Sequence, residues 1–126
     1  DSSITTDSNN KVHISYYDSN TSDLKYASNA TGSWGITSLD SAGTVGQYAS
    51  IAVTGTTTTQ VHISYYDATN GDLKYASNAT GSWVYSTLDS TGNVGWYTSI
   101  ALDSNNKMHI SYEDTTNGDL KYATNK

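Results

Sequence analysis

Three times along this chain a His is followed by a Ser two residues on and an Asp three beyond that: His13-Ser15-Asp18, His62-Ser64-Asp67 and His109-Ser111-Asp114. A hydroxyl beside an imidazole, with a carboxylate to orient the ring, is the set from which a serine nucleophile is made. A second carboxylate follows each set, at Asp23, Asp72 and Asp119. Paired carboxylates bind calcium or divide acid and base work between them. Both chemistries meet the same objection. A reaction needs one site, whereas these residues come in triplicate, as the parts of a repeated structural unit do. In an extended strand, moreover, residues i and i+2 lie side by side on one face, which does not aim a hydroxyl at a ring nitrogen. We therefore assign the His, Ser and Asp to the hydrogen bonds that hold strands together. The Asp pairs are assigned to capping their own turns, where a carboxylate accepts backbone N–H groups.

The rest of the inventory is equally short of chemistry. Arg and Cys are absent, and the only Glu is Glu113. There is no Gly-rich phosphate loop and no His cluster with metal-ligand spacing. The "DSNNK" segments at Asp7–Lys11 and Asp103–Lys107 have a faint look of a calcium loop. However, a Lys stands where a ligand should, and the corresponding "TGTTTTQ" (Thr54–Gln60) has no carboxylate. Neither catalytic residues nor a cofactor nor a metal site is expected. The net charge of −6 excludes the basic stripe that nucleic acid demands and disfavours an anionic membrane surface. No apolar run approaches the roughly 20 residues of a spanning helix.

The elements that would carry these residues follow from the repeat. The three His are 49 and 47 residues apart. "DLKYA" recurs at Asp23–Ala27, Asp72–Ala76 and Asp119–Ala123, and "VG-x-Y" at Val45–Tyr48 and Val94–Tyr97. Four strands are read in each full unit: "SIAV" or "SIAL" (A), "VHISYYD" (B), "LKYAS" (C) and "WVYSTLD" (D). Tyr, Trp, Thr and β-branched residues favour such pleated surfaces, and Asn70–Gly71 and Asn117–Gly118 supply the positive φ of tight turns between B and C. Four antiparallel strands in under 50 residues match the blade of a propeller. The expectation is an all-β, propeller-type protein in one repeat domain. Its blades would span about residues 1–48 and 49–97, with an incomplete third over about 98–126, or some two and three-quarter blades.

The combination "HISYYD…NGDLKYA…GSW…LD…VGWYTSIALD" resembles a repeat of secreted bacterial and archaeal proteins of unassigned function, and is distantly similar to sialidase-like and lectin propellers. The resemblance implies architecture rather than activity. Sialidase-like catalysis would need an Arg cluster, which is missing.

Since propellers close with about four to eight blades, this chain is expected to be a piece of a longer protein or to self-associate. Two copies would make a six-bladed ring, and head-to-tail addition would make a fibre. The unpaired strand at Leu120, Lys121, Tyr122, Ala123 and Thr124 is the expected assembly edge. Sequons at Asn20, Asn29 and Asn78 are candidate glycosylation sites and fit an extracellular or cell-surface location. Binding is the remaining activity. In a propeller the B–C and D–A loops share one rim, and sugars are held by an aromatic face with a few placed acceptors. Candidate ligand-binding residues are Asp40, Tyr48, Asp89, Trp96 and Tyr97, joined by Glu113, which stands where the earlier copies have Tyr17 and Tyr66. The expected role is assembly or surface structure without catalysis, and the alternative is a multivalent lectin with a glycan partner.

Overall fold

A computed structural model describes residues 1–125 of the chain, with strands and no helix among them, and hence no helix long and apolar enough to cross a membrane. The first sheet holds β1 (Ser2–Thr6), β2 (Val12–Asp18), β3 (Asp23–Ser28) and β4 (Gly35–Asp40). The second holds β5 (Val45–Thr54), β6 (Gln60–Asp67), β7 (Asp72–Ser77) and β8 (Val84–Asp89), and the third β9 (Val94–Leu102), β10 (Met108–Asp114) and β11 (Asp119–Thr124). Within each sheet every strand pairs antiparallel with its neighbour in chain order.

The first Asp of each pair caps its turn as expected, whereas among the described residues Asp23, Asp72 and Asp119 accept no backbone N–H and Asp23 accepts from the Ser38 hydroxyl instead. Asp18, Asp67 and Asp114 each accept backbone N–H groups from the turn that follows, such as Thr69 at 3.0 Å and Asn70 at 3.1 Å on Asp67 Oδ1. Asp7 and Asp103 do the same for the "DSNNK" turns, each taking the N–H two and four residues on.

One segment differs from the sequence reading. Val45–Tyr48 and Val94–Tyr97 do not lie in loops but begin β5 and β9, whose register against β6 and β10 is broken by bulges. The bulges let the strand swing against the preceding sheet. Gly46, at φ +101°, brings its backbone so near Leu24 that a Cβ would lie 2.6 Å from the Leu24 Cα. Gly95 makes the same approach to Leu73. Only glycine tolerates both the φ and the proximity.

Residues directly opposite one another share a face, so each sheet carries two rows. One is apolar: Ile4-Ile14-Ala27-Ile36 in the first sheet, Ile51-Ile63-Ala76-Tyr85 in the second, Ile100-Ile110-Ala123 in the third. The other is hydroxyl-rich: Ser3-Ser15-Tyr26-Thr37, Ser50-Ser64-Tyr75-Ser86 and Ser99-Ser111-Tyr122. The sheets stack so that the apolar row of one lies on the hydroxyl row of the sheet before it. Ile51, Ile63 and Ala76 form one core with Leu24, Leu39 and Tyr26. Ile100 and Ile110 form the next with Leu73 and Tyr75. The first strand of each sheet makes the closest approach, and its amide ties the stack. The Ile51 N–H donates to Ser3 Oγ at 3.3 Å and the Ile100 N–H to Ser50 Oγ at 3.2 Å.

Candidate functional site

The bulges that open β5 and β9 carry Tyr48 and Tyr97 at positive φ, 54° and 49°, which turns both side chains out of the regular alternation. They meet at one place. The ring of Tyr48 lies 4.6 Å from Tyr97, 5.2 Å from Trp96 and 6.2 Å from Tyr66, and Trp96 lies 5.4 Å from Tyr66. These tilted contacts are the arrangement aromatic quadrupoles prefer. The amide oxygen of Asn93 fixes two of the rings, accepting from the Tyr66 hydroxyl at 2.6 Å and from Trp96 Nε1 at 3.2 Å. Tyr66 is buried, Trp96 and Tyr48 are half-buried, and Tyr97 keeps 64% of its surface in water. Glu113 faces Trp96 across the β9–β10 pair. Burial, the neighbouring Tyr97 and Tyr66, and the Glu113 charge all push the Tyr48 phenol up. The N–H of Tyr48 donates to Asp1 Oδ2 at 3.3 Å, placing a second carboxylate beside the cluster.

Of the six residues singled out from the sequence, Tyr48, Trp96, Tyr97 and Glu113 thus come together. Asp40 and Asp89 do not. Each closes a sheet's last strand and reaches onto the next sheet. Asp40 accepts from the Tyr65 hydroxyl at 2.7 Å and from Lys74 Nζ at 2.5 Å. Asp89 accepts from the Tyr112 hydroxyl at 2.8 Å and pairs with Lys121. Burial pushes Asp40 up, but the Lys74 ammonium, the Tyr65 hydroxyl and the Ala42 N–H outweigh it and hold the carboxyl below its ordinary range. Asp89 follows the same balance. Burial, with the adjacent carboxylate, drives the phenols of Tyr65 and Tyr112 far up, so both remain hydrogen-bond donors. These are inter-sheet staples. Two residues of the cluster, Tyr66 and Asn93, escaped the sequence reading. Asn93 carried a signal, since the earlier copy has Thr44 there, the kind of difference that drew attention to Glu113.

The repeated His finds its partner on the strand beside it. Nδ1 of His13, His62 and His109 lies 2.6, 2.5 and 2.6 Å from the hydroxyls of Tyr26, Tyr75 and Tyr122. The Ser two residues on is not that partner. The sequon side chains Asn29 and Asn78 are also used within the fold, their Oδ1 accepting from Val12 and Val61 N–H at 2.8 and 2.7 Å. Asn125 makes the same bond to Met108, so this recurrence has a structural cause of its own. Asn20 is exposed in its turn. At the β11 edge, Leu120 and Tyr122 are exposed, Lys121 pairs with Asp89, Ala123 packs into the second core and the Thr124 hydroxyl donates to Met108 O. Among the described residues no three His, Cys, Asp or Glu side chains group closely enough to hold a metal ion.

The aromatic cluster offers apolar ring surface, an exposed phenol and nearby carboxylates. No protein-family model matches the chain, and no curated protein matches it. Among solved structures it is similar to a fucose lectin from Kordia zhangzhouensis in complex with methyl-fucoside, with a TM-score of 0.63 and 16% identity over 98% of this chain and 91% of that one. At that identity the likeness concerns the fold alone.

Proposed function

We propose that this chain is a non-catalytic carbohydrate-binding protein whose three sheets are propeller-like blades. The observation that carries the proposal is the aromatic cluster at the junction of the second and third sheets, where Tyr48, Trp96 and Tyr97 group beside Glu113. The corresponding positions between the first and second sheets hold Gln47, Asp1 and Tyr66 in place of Trp96, Tyr48 and Glu113, so the site is written once although the fold is written three times. Sugars present C–H faces that pack on aromatic rings and hydroxyls that donate to carboxylates. The likeness to a fucose lectin supports the reading and makes methyl-fucoside the first ligand to test. Glycans are displayed outside cells, and an extracellular location with glycosylation at Asn20, Asn29 or Asn78 belongs to the same proposal. A role in assembly is a second reading, favoured by two uncovered sheet faces.

The test is a broad glycan array followed by calorimetry on any hit. Trp96→Ala should weaken binding tenfold or more with the fold unchanged. A folded wild-type protein that binds nothing on the array, methyl-fucoside included, refutes the proposal.

A further inference from the structure

The contact between an apolar row and a hydroxyl row occurs twice within the chain, and each time both rows are buried on the middle strand of their sheet. Ile51 and Ile100 are 6% and 8% exposed, and the facing Ser15 and Ser64 are fully covered. One row of each kind is left over. In the first sheet Ile4 and Ile36 each keep 67% of their surface in water. In the third sheet Ser99 and Ser111 are exposed and Tyr122 keeps 58%. These leftovers are the two halves of the contact already made. A third half-made contact sits beside them. Trp83 of the second sheet lays its edge on Tyr26 of the first at 5.4 Å, while its counterpart Trp34 is 57% exposed and Tyr26's counterpart Tyr122 is equally bare. A hollow of about 250 Å³, lined by Ser99, Ala101, His109, Ser111 and Tyr122, marks the uncovered hydroxyl row.

We propose that the apolar face of the first sheet docks on the hydroxyl face of the third sheet of a second copy of this chain. The occupant follows from the internal template: the surface that fits a Ser-Ser-Tyr row in this molecule is an Ile-Ile-Ala row, and the chain presents one. Ile4 takes the place of Ile51 and Ile100, its N–H donating to Ser99 Oγ of the second copy. Trp34 covers the second copy's Tyr122, and Ile4 and Ile14 fill the hollow. The contact is head-to-tail, since unlike faces meet. It joins two separate molecules, and among the described residues it has no counterpart of the staples made by Asp40 and Asp89. Association is therefore concentration-dependent. Glu113 shares the hydroxyl face with Ser111, but Tyr48, Trp96 and Tyr97 are not among the docking residues, and the association test below is read without sugar.

The test uses two variants at exposed positions, each of which should retain the wild-type circular dichroism: Ile4→Lys spoils the apolar face and Ser111→Lys the hydroxyl face. Sedimentation velocity over a wide concentration range should show the wild type associating and each variant alone monomeric. An equimolar mixture should give a dimer and nothing larger, because only one intact pair of faces remains. For the wild type, a discrete dimer means that two copies close through two such contacts, and a ladder of sizes means that they do not; both require the contact. A wild type that stays monomeric, variants that associate as the wild type does, or a mixture that stays monomeric would each overturn the proposal.

Discussion

Ser15 and Ser64 hold the same place in successive sheets and are both fully buried, yet only one is satisfied. Ser64 shares a hydrogen bond with Thr98 of the third sheet, whereas the counterpart of Thr98 in the second sheet is Ala49 and the Ser15 hydroxyl has no partner among the described residues. A buried hydroxyl without a partner costs about 1–3 kcal/mol. Ala49→Thr should therefore stabilise the protein by about 1 kcal/mol, read as a shift of the urea midpoint at constant slope; no gain would mean that the first junction is packed differently from the second. His62 is the other orphan. Its counterparts His13 and His109 place Nε2 3.4 Å from Asp7 and Asp103, but the Thr-rich loop of the second repeat offers no carboxylate there. Burial alone then pulls the His62 imidazole below its ordinary 6.5. As pH falls below 6.5 the unfolded chain takes up this proton first, so stability is full above that value and declines toward the lower folded one. The thermal midpoint should drop between pH 7 and 5, and His62→Gln should flatten that slope.

Between elements, the strongest ties are those from the last strand of one sheet to the middle strands of the next. Asp40, Tyr65 and Lys74 are nearly enclosed, and the Lys74 ammonium sits 5.7 Å over the Tyr65 ring. Removing the carboxylate leaves a hydroxyl and an ammonium poorly paired, so Asp40→Ala should cost about 2–4 kcal/mol. Asp23→Ala is the contrast. Its side chain accepts only from the Ser38 hydroxyl in an exposed setting, and the change should stay within about 0.5 kcal/mol. Equal losses in the two denaturation curves would remove the distinction between staple and surface. Because Asp40 and Asp89 are held below the usual carboxylate value of 3.8, their contribution is present above that pH and is lost as pH falls through the folded values.

At the scale of the molecule the second sheet is enclosed on both faces, and β6 is buried along Val61–Asp67. The first and third sheets are each covered on one face only. Amides open to exchange where few buried contacts hold them, so hydrogen exchange should leave β6 the last to deuterate, with β1 and the β11 edge among the first. Protection of β1 that rises with protein concentration would be the exchange signature of a second copy docking there. Uniform protection across the three sheets would contradict the layered description.

The repeat made the strands, their order and their turns legible, because strand period and Asp turns act over a few residues and recur three times, and Asn-Gly occurs twice. It also excluded much chemistry, since a missing Arg or Cys cannot be restored by folding. Tertiary structure decided what each polar residue does. Asp40 and Asp89 looked like ligand acceptors, yet they lie where a Lys and a Tyr 23 to 34 residues away complete them. Asn29 and Asn78 read as sequons, and the fold also uses their Oδ1 atoms to hold backbone amides. Tyr66 and Asn93 joined the aromatic cluster only because a bulge at Gly95 brings β9 against the second sheet. Contacts between sheets are set by shape and approach rather than by local spacing, and so a one-dimensional pattern could announce the sheets but not which faces would meet.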